Sequence, residues 1–294
     1  MNLTPQSRRS PYCLAMLFAA WAMLGNAWAT AQTYQAVLDA SQWSVEASPL
    51  SCRLTQTVPL YGDAVFEFKA GEAQSFFLKP YQPSQARGEA RLEIVAPAWH
   101  RDVRPRSVGS QALRTGEIPV RVSEAHARRF LAELEAGLFP SIVMSDPNRG
   151  EVRVDVSSVN FKKSLPGYQS CVAALYPANF DQLKASRLNY RNDQWKPDDA
   201  IIRRLDLLVG YMALDSSVKK IFVDGHSDRV GRQGHNWEIS RLRANAVKDY
   251  LIGKGIPAEN IVMRYYGETR LAVKTKNNVP VQANRRVIVQ LVKG

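Results

Sequence analysis

The stretch from Val223 to Leu251, with the two residues before it, constrains this chain more than any other. It reads as a buried strand, a polar loop and an amphipathic helix. Ile221, Phe222 and Val223 are apolar and β-favouring. Asp224 to Gly234 holds three glycines and no apolar run, which makes it a loop. From Asn236 to about Ile252, Ile239, Leu242, Ala246 and Tyr250 recur at spacings of three or four, one face of a helix. The loop carries Asp228 and the first helical turns carry Arg243. An acid and a base held this way can grip a zwitterion. On spacing alone, Asp228 capping a turn and pairing internally with Arg243 is the favoured reading.

Charge divides the chain. Residues 30–180 hold 16 Lys+Arg against 15 Asp+Glu, whereas residues 181–294 hold 21 against 12. A basic half points to an acidic or polyanionic partner, and nucleic acid is the usual candidate. The N-terminus argues against nucleic acid. Arg8 and Arg9 precede a twelve-residue apolar run, Cys13 to Leu24, and Ala27-Trp28-Ala29 offers a small-x-small cleavage site. Residues 1–29 therefore read as a cleaved secretory signal. The apolar run is too short to span a bilayer comfortably, and no later stretch is apolar for long enough, so stable membrane insertion is not expected. Export leaves Cys52 and Cys171 in an oxidising compartment, where one disulfide is the simple reading and two buried thiols the alternative. The bridge would close a loop of about 120 residues, for which chain entropy gives on the order of 4–5 kcal/mol.

The expected fold class is α+β in two domains. Residues 30–182 read as β-rich, sandwich- or barrel-like. The strand-like runs are Ala64–Lys69, Ser75–Leu78, Ala90–Val95, Ile118–Val122 and Glu151–Val156, with one helix after Ser123 that closes at Gly137. A Cys52–Cys171 bridge would tie the first strands of this domain to its last. Trp43 and Trp99 read as core residues. Residues 183–294 alternate strand and helix, with helices on one side of a small mixed sheet. Pro197 fits the first helical position of a helix carrying Ile201, Leu205, Leu208 and Met212.

Catalysis finds little support. Ser227 beside His226 lacks a nucleophile-elbow context, both mature cysteines are expected to be bridged, and no carboxylate pair stands out. His226, Asp228 and His235 match no strong metal signature. Neither a cofactor nor a metal is expected.

Gly225-His-Ser-Asp228, followed by Asn236, Ile239, Ser240, Arg243, Ala244, Val247 and Leu251, closely resembles the signature of the OmpA-like C-terminal domain. Gly255-Ile256, Gly267-Glu268 and Asn284-Arg285-Arg286-Val287 match later landmarks of that family. The resemblance implies non-covalent binding of peptidoglycan, with Asp228 and Arg243 holding diaminopimelate of the stem peptide. Gly225, His226, Ser227, Asn236 and Ser240 belong to the same motif, and Arg285 and Arg286 are expected to support the loop. An aromatic–acid pair frequent in the family has no clear acid here; Leu188-Asn-Tyr-Arg-Asn-Asp193 occupies the region, with Tyr190 in the aromatic place. In the N-terminal half, Ser41-Gln-Trp43, Ser48-Pro-Leu-Ser-Cys52, Pro59 to Phe66, Ala96-Pro-Ala-Trp99, Leu131 to Gly137 and Ser170-Cys171 resemble the first domain of MotY-type flagellar motor proteins of the T ring. This implies a non-enzymatic periplasmic protein that docks on the flagellar basal body and stator proteins while holding the cell wall. A general envelope tether of the OmpA or Pal kind is the alternative.

Overall fold

The computed structural model describes Met1 and residues 32–100, 103–147, 149–276 and 278–294. Apart from Met1, the segment read as an export signal lies outside the described residues.

In the N-terminal half the described strands are β1 (Gln32–Gln35), β2 (Trp43–Ser48), β3 (Ser51–Val58), β4 (Gly62–Lys69), β5 (Ser75–Pro80), β6 (Glu89–Val95), β7 (Arg106–Ala112), β8 (Val120–Val122), β9 (Phe139–Asp146) and β10 (Gly150–Asp155). Two helices accompany them, α1 (Glu124–Glu135) and α2 (Phe161–Ala173). One sheet is antiparallel in the order β2-β3-β4-β5-β8; the other runs β1-β10-β9-β6-β7, with β1 parallel to β10. Their inner faces share one core. Leu54, Phe66, Phe76 and Leu78 come from the first sheet, Leu92, Ile94, Ile142 and Val154 from the second, and Phe130 and Phe161 from the helices. β3 shows why these residues form a sandwich strand. Cys52, Leu54, Gln56 and Val58 point inward, while Arg53, Thr55 and Thr57 alternate outward. The one amide in that row, Gln56, is satisfied by Ser41 Oγ and by the backbone of Ser157.

Three expectations need correction here. The half holds a second helix, α2, which the sequence hides behind Pro166-Gly167; burial of Phe161, Leu165, Tyr168 and Cys171 on one face outweighs those breakers. Cys171 therefore sits on a helix, and the Cys52–Cys171 disulfide joins β3 to α2 instead of a first strand to a last one. Trp43 is core, its indole donating to Ser157 O, but Trp99 is 52% exposed.

The C-terminal half comprises α3 (Phe180–Leu183), β11 (Ala185–Asn189), α4 (Asp199–Leu214), β12 (Val218–His226), α5 (Gln233–Gly253), β13 (Ile261–Tyr265) and β14 (Arg286–Lys293). The sheet order is β11-β14-β12-β13, antiparallel except for the β12–β13 pair. Leu188, Ile221, Val223, Val287, Val289 and Leu291 form one face of this sheet and meet Leu205, Leu208, Ala244, Val247 and Leu251 of α4 and α5. Pro197 lies before the helix, not at its first position. Asp198 is the N-cap and accepts from the Ile201 N–H at 3.0 Å.

The two halves touch beside the disulfide. Leu50, on the β2–β3 turn two residues before Cys52, packs against the C-terminal core. Tyr176 donates its N–H to Pro49 O and its hydroxyl to Leu207 O, both at 2.8 Å.

Candidate functional site

The loop between β12 and α5 turns because β12 and α5 approach closely. A Cβ on Gly225 would lie 2.1 Å from Ser240 O, so only glycine lets the strand end press against the helix. Ser240 then uses its hydroxyl twice, donating to Trp237 O and accepting from the Gly267 N–H at 3.0 Å. Gly267 O in turn accepts from the Ser227 N–H at 2.9 Å. Three segments are thus pinned together where the loop begins.

The face of α5 that is buried differs from the one the apolar spacing predicts. Asn236, Ile239, Ser240, Arg243, Ala244, Val247 and Leu251 are buried, while Leu242, Ala246 and Tyr250 are half-buried. Polar residues take inward places because each is satisfied there. Arg243 is 1% exposed and donates to three main-chain carbonyls: Gln194 O at 2.8 Å, His226 O at 3.1 Å and Arg191 O at 3.2 Å. Its guanidinium lies over the buried Tyr190 ring, 5.1 Å from the centroid. Burial lowers its pKa to about 10, so it stays charged at neutral pH. Among the described residues no carboxylate stands within ion-pair distance of it. Of its five N–H donors, three serve carbonyls, which leaves one on each terminal nitrogen.

Asp228 sits across the same cavity. Its Oδ2 accepts from Arg285 Nη1 at 2.7 Å, and its Oδ1 only a long 3.4 Å contact from the Val230 N–H. The cavity measures about 240 Å³. Of the sequence-predicted residues, the structure brings Ser227, Asp228, Asn236, Arg243 and Arg285 to its wall. It does not bring Gly225, His226, Ser240 or Arg286 there; these hold the frame. His226 stacks on Tyr266 at 5.2 Å, and burial followed by the nearby Arg286 charge pushes its pKa down to about 4. Arg286 donates to Asn284 O and Arg270 O, anchoring the base of the 268–285 loop. Asn284 clips the same loop through Ala272, Val273 and Val273 O.

Asn192, Asp193 and His235 were not assigned to the site from sequence; with Val230, Gly231 and Ile239 they complete the wall. Asp193 Oδ1 lies 3.3 Å from His235 Nε2 at the rim. The signal was present in Leu188 to Asp193, but the acid comes three residues after the aromatic and reaches the cavity only because the chain after β11 folds over α5. The helix also starts earlier than the spacing suggests, at Gln233, so its first free N–H groups belong to residues 233–235, not 236 onward. His226 and His235, drawn from sequence as conceivable metal ligands with Asp228, lie in different surroundings. Among the described residues no group of metal-binding side chains converges.

Residues 34–177 match the MotY N-terminal domain, and residues 197–286 match the OmpA family. The sodium-type flagellar protein MotY of Vibrio parahaemolyticus is 26% identical over 269 residues, covering 88% of this chain and 89% of that protein. The chain is a MotY-type protein with an OmpA-like C-terminal domain. Outer membrane protein A of Escherichia fergusonii is 35% identical over 116 residues, 36% of the chain and 46% of that protein. Among solved structures, the peptidoglycan-associated lipoprotein of Burkholderia pseudomallei matches 37% of the chain and 89% of its own, at 19% identity and a TM-score of 0.33. The OmpA match in this MotY-type chain contains every cavity residue except Asn192 and Asp193, which precede it. Of the wall residues not assigned to the site from sequence, Asn192 and Asp193 lie outside the matched segment and His235 lies inside it.

Proposed function

We propose that this protein is a non-enzymatic, periplasmic component of the flagellar motor that holds peptidoglycan through residues 183–294 and docks at the basal body and stator through residues 30–182. The observation that carries the wall-binding half is that Asp228 and Arg243 line one cavity, the arginine without a carboxylate partner among the described residues. The side chain of diaminopimelate ends in an ammonium and a carboxylate on one carbon. The two remaining N–H donors of Arg243 suit the carboxylate, in a planar fork that lysine does not reproduce. The less engaged Oδ1 of Asp228 suits the ammonium. Two cations, Arg243 and Arg285, and two acids, Asp228 and Asp193, line the cavity, a balance that favours a zwitterion over a simple anion. Ser227, Asn236 and Arg285 position the wall; Gly225, His226, Ser240 and Arg286 act through the frame.

The docking half rests on the match of residues 34–177 to the MotY N-terminal domain. It accounts for a second domain that a simple wall tether does not need.

Sedimentation with purified peptidoglycan tests the site. Asp228→Asn should weaken pelleting by roughly tenfold, the loss of one charge-assisted contact, with the circular dichroism spectrum unchanged. Equal pelleting of wild type and variant would overturn the site. Motility tests the setting. Deletion should impair swimming and release stator units from the motor while filaments still assemble, whereas normal swimming points to a general envelope tether. Release of muropeptides from labelled wall would contradict the binding-only reading.

A further inference from the structure

The second cavity of interest lies in the N-terminal half, on the edge of the sheet that begins with β1. It measures about 540 Å³ and is lined by the 35–39 turn, residues 95–99, Phe139 and Asp155. Val37, Leu38 and Trp99 are 67%, 54% and 52% exposed there. Large apolar side chains scattered singly on a surface are ordinary; three converging on one concavity are not. Trp99 is held in place by an edge contact to Phe139, ring centroids 6.0 Å apart, and by a turn in which His100 N–H donates to Pro97 O. Phe139 is buried, so the apolar wall continues into the fold.

Among the described residues, the charged part of this cavity is all acidic. Its charged lining residues, among the described ones, are Asp39 and Asp155, with no described lysine or arginine beside them, on a chain whose net charge is +12. Asp155 is 7% exposed. Its Oδ1 is buried without a hydrogen-bond partner among the described residues. The adjacent cation, Arg153, is committed elsewhere, to Glu93 at 3.0 Å and Ser141 at 2.8 Å. A buried acceptor left unmade costs free energy that a donor arriving from outside would restore. Among the described residues β1, at the same end of the sheet, is paired on one side only, by β10.

We propose that this cavity is a docking site for a protein segment that places an aromatic or large aliphatic side chain against Trp99, Leu38 and Phe139 and a neighbouring lysine or arginine toward Asp155 and Asp39. The surface gives the docking half of the functional reading a location, and rests on that reading only for its cellular partner. Recognition needs both elements. The apolar side chain supplies burial, and the cation supplies the partner that Asp155 lacks.

Full-length mature protein, titrated with two synthetic peptides, tests the idea. The probes are acetyl-Gly-Leu-Lys-Trp-Lys-Gly-amide and its counterpart with Glu in place of Lys, followed by NMR of the Trp99 indole and of residues 36–40. The basic peptide should shift these resonances and the acidic one should not. Trp99→Ala and Leu38→Ser, both surface changes, should each weaken the basic peptide by about tenfold, the usual effect of truncating an interface anchor. Asp155→Asn should narrow the gap between the two peptides. Equal binding of both peptides, no binding of either, or basic-peptide binding indifferent to Trp99→Ala would each overturn the surface. Pelleting with peptidoglycan should be unchanged in all three variants, which keeps failure of this surface distinct from failure of the wall-binding site.

Discussion

The two cavities of this protein handle buried charge in opposite ways. In the C-terminal half, the buried charges on the wall each have a role in the frame. Arg243 ties three carbonyls, and Asp228 ties Arg285. In the N-terminal half, Asp155 is buried with one oxygen unbonded among the described residues, beside exposed Trp99 and Leu38. The first cavity is preorganised, so a small ligand meets fixed donors with little reordering to pay for. The second is apolar and open, and needs a partner to complete it. One chain thus carries a rigid small-ligand grip and an adaptable protein-sized surface.

The halves also differ in how they are held together, and several outcomes would break or sharpen that contrast. The largest effect should come from the disulfide, which spans 119 residues and lies entirely in the N-terminal half. Cys52→Ser with Cys171→Ser should cost that half about 4–5 kcal/mol in the chain-entropy picture, read by hydrogen exchange in urea. The amides of α5 and β12 should keep their protection; an equal loss in both halves would show one cooperative unit. Next, Gly225→Ala places a methyl 2.1 Å from Ser240 O, and should destabilise the C-terminal half by about 3 kcal/mol through overpacking. The N-terminal half should not respond. Arg243→Lys keeps the charge but not the fork that serves three carbonyls. It should weaken pelleting with peptidoglycan by roughly a hundredfold, about 2.7 kcal/mol, and full retention of binding would remove Arg243 from contact with ligand.

The smallest effect is a pH dependence confined to the C-terminal half. His226 is held neutral, its pKa pushed from 6.5 to about 4 by burial and by the Arg286 charge. In the unfolded chain it protonates near 6.5, so the unfolded state binds more protons between these values. Stability of this half should fall as pH drops from 6.5 toward 4, and His226→Gln should flatten that slope. An unchanged slope in the variant would assign the acid loss to other groups.

Much of this was legible in the sequence, and the misses have physical causes. The strand at Ile221–Val223 and a turn before the helix were readable because β-favouring apolar residues and turn residues act locally. The loop is shorter than the expected Asp224–Gly234, because β12 runs on to His226 and α5 begins at Gln233, which puts Gly225 in the strand and Gly234 in the helix. The helix was readable as a helix, but its phase was not. Apolar spacing selects Leu242, Ala246 and Tyr250, whereas the buried face carries Asn236, Ser240 and Arg243. Periodicity assumes that polar means outward; here main-chain carbonyls from two other segments make inward arginine stable. α2 was missed because Pro166-Gly167 signals a break, and only the packing of Tyr168 and Cys171 against the sandwich overrules it. Trp99 was misjudged for the converse reason, an aromatic residue left outside its own core.

The sequence by itself determined the parts: two cysteines poised to bridge, a basic C-terminal half, and Asp228 and Arg243 on either side of a turn. Tertiary structure alone decided which parts meet. It brought Asp193 over the helix to the cavity, moved Gly225, His226, Ser240 and Arg286 into the frame, and left Asp155 without a full set of partners. The reason is that local propensity depends on neighbours in sequence, whereas burial and hydrogen-bond satisfaction depend on neighbours in space, and those are fixed only when the whole chain has closed.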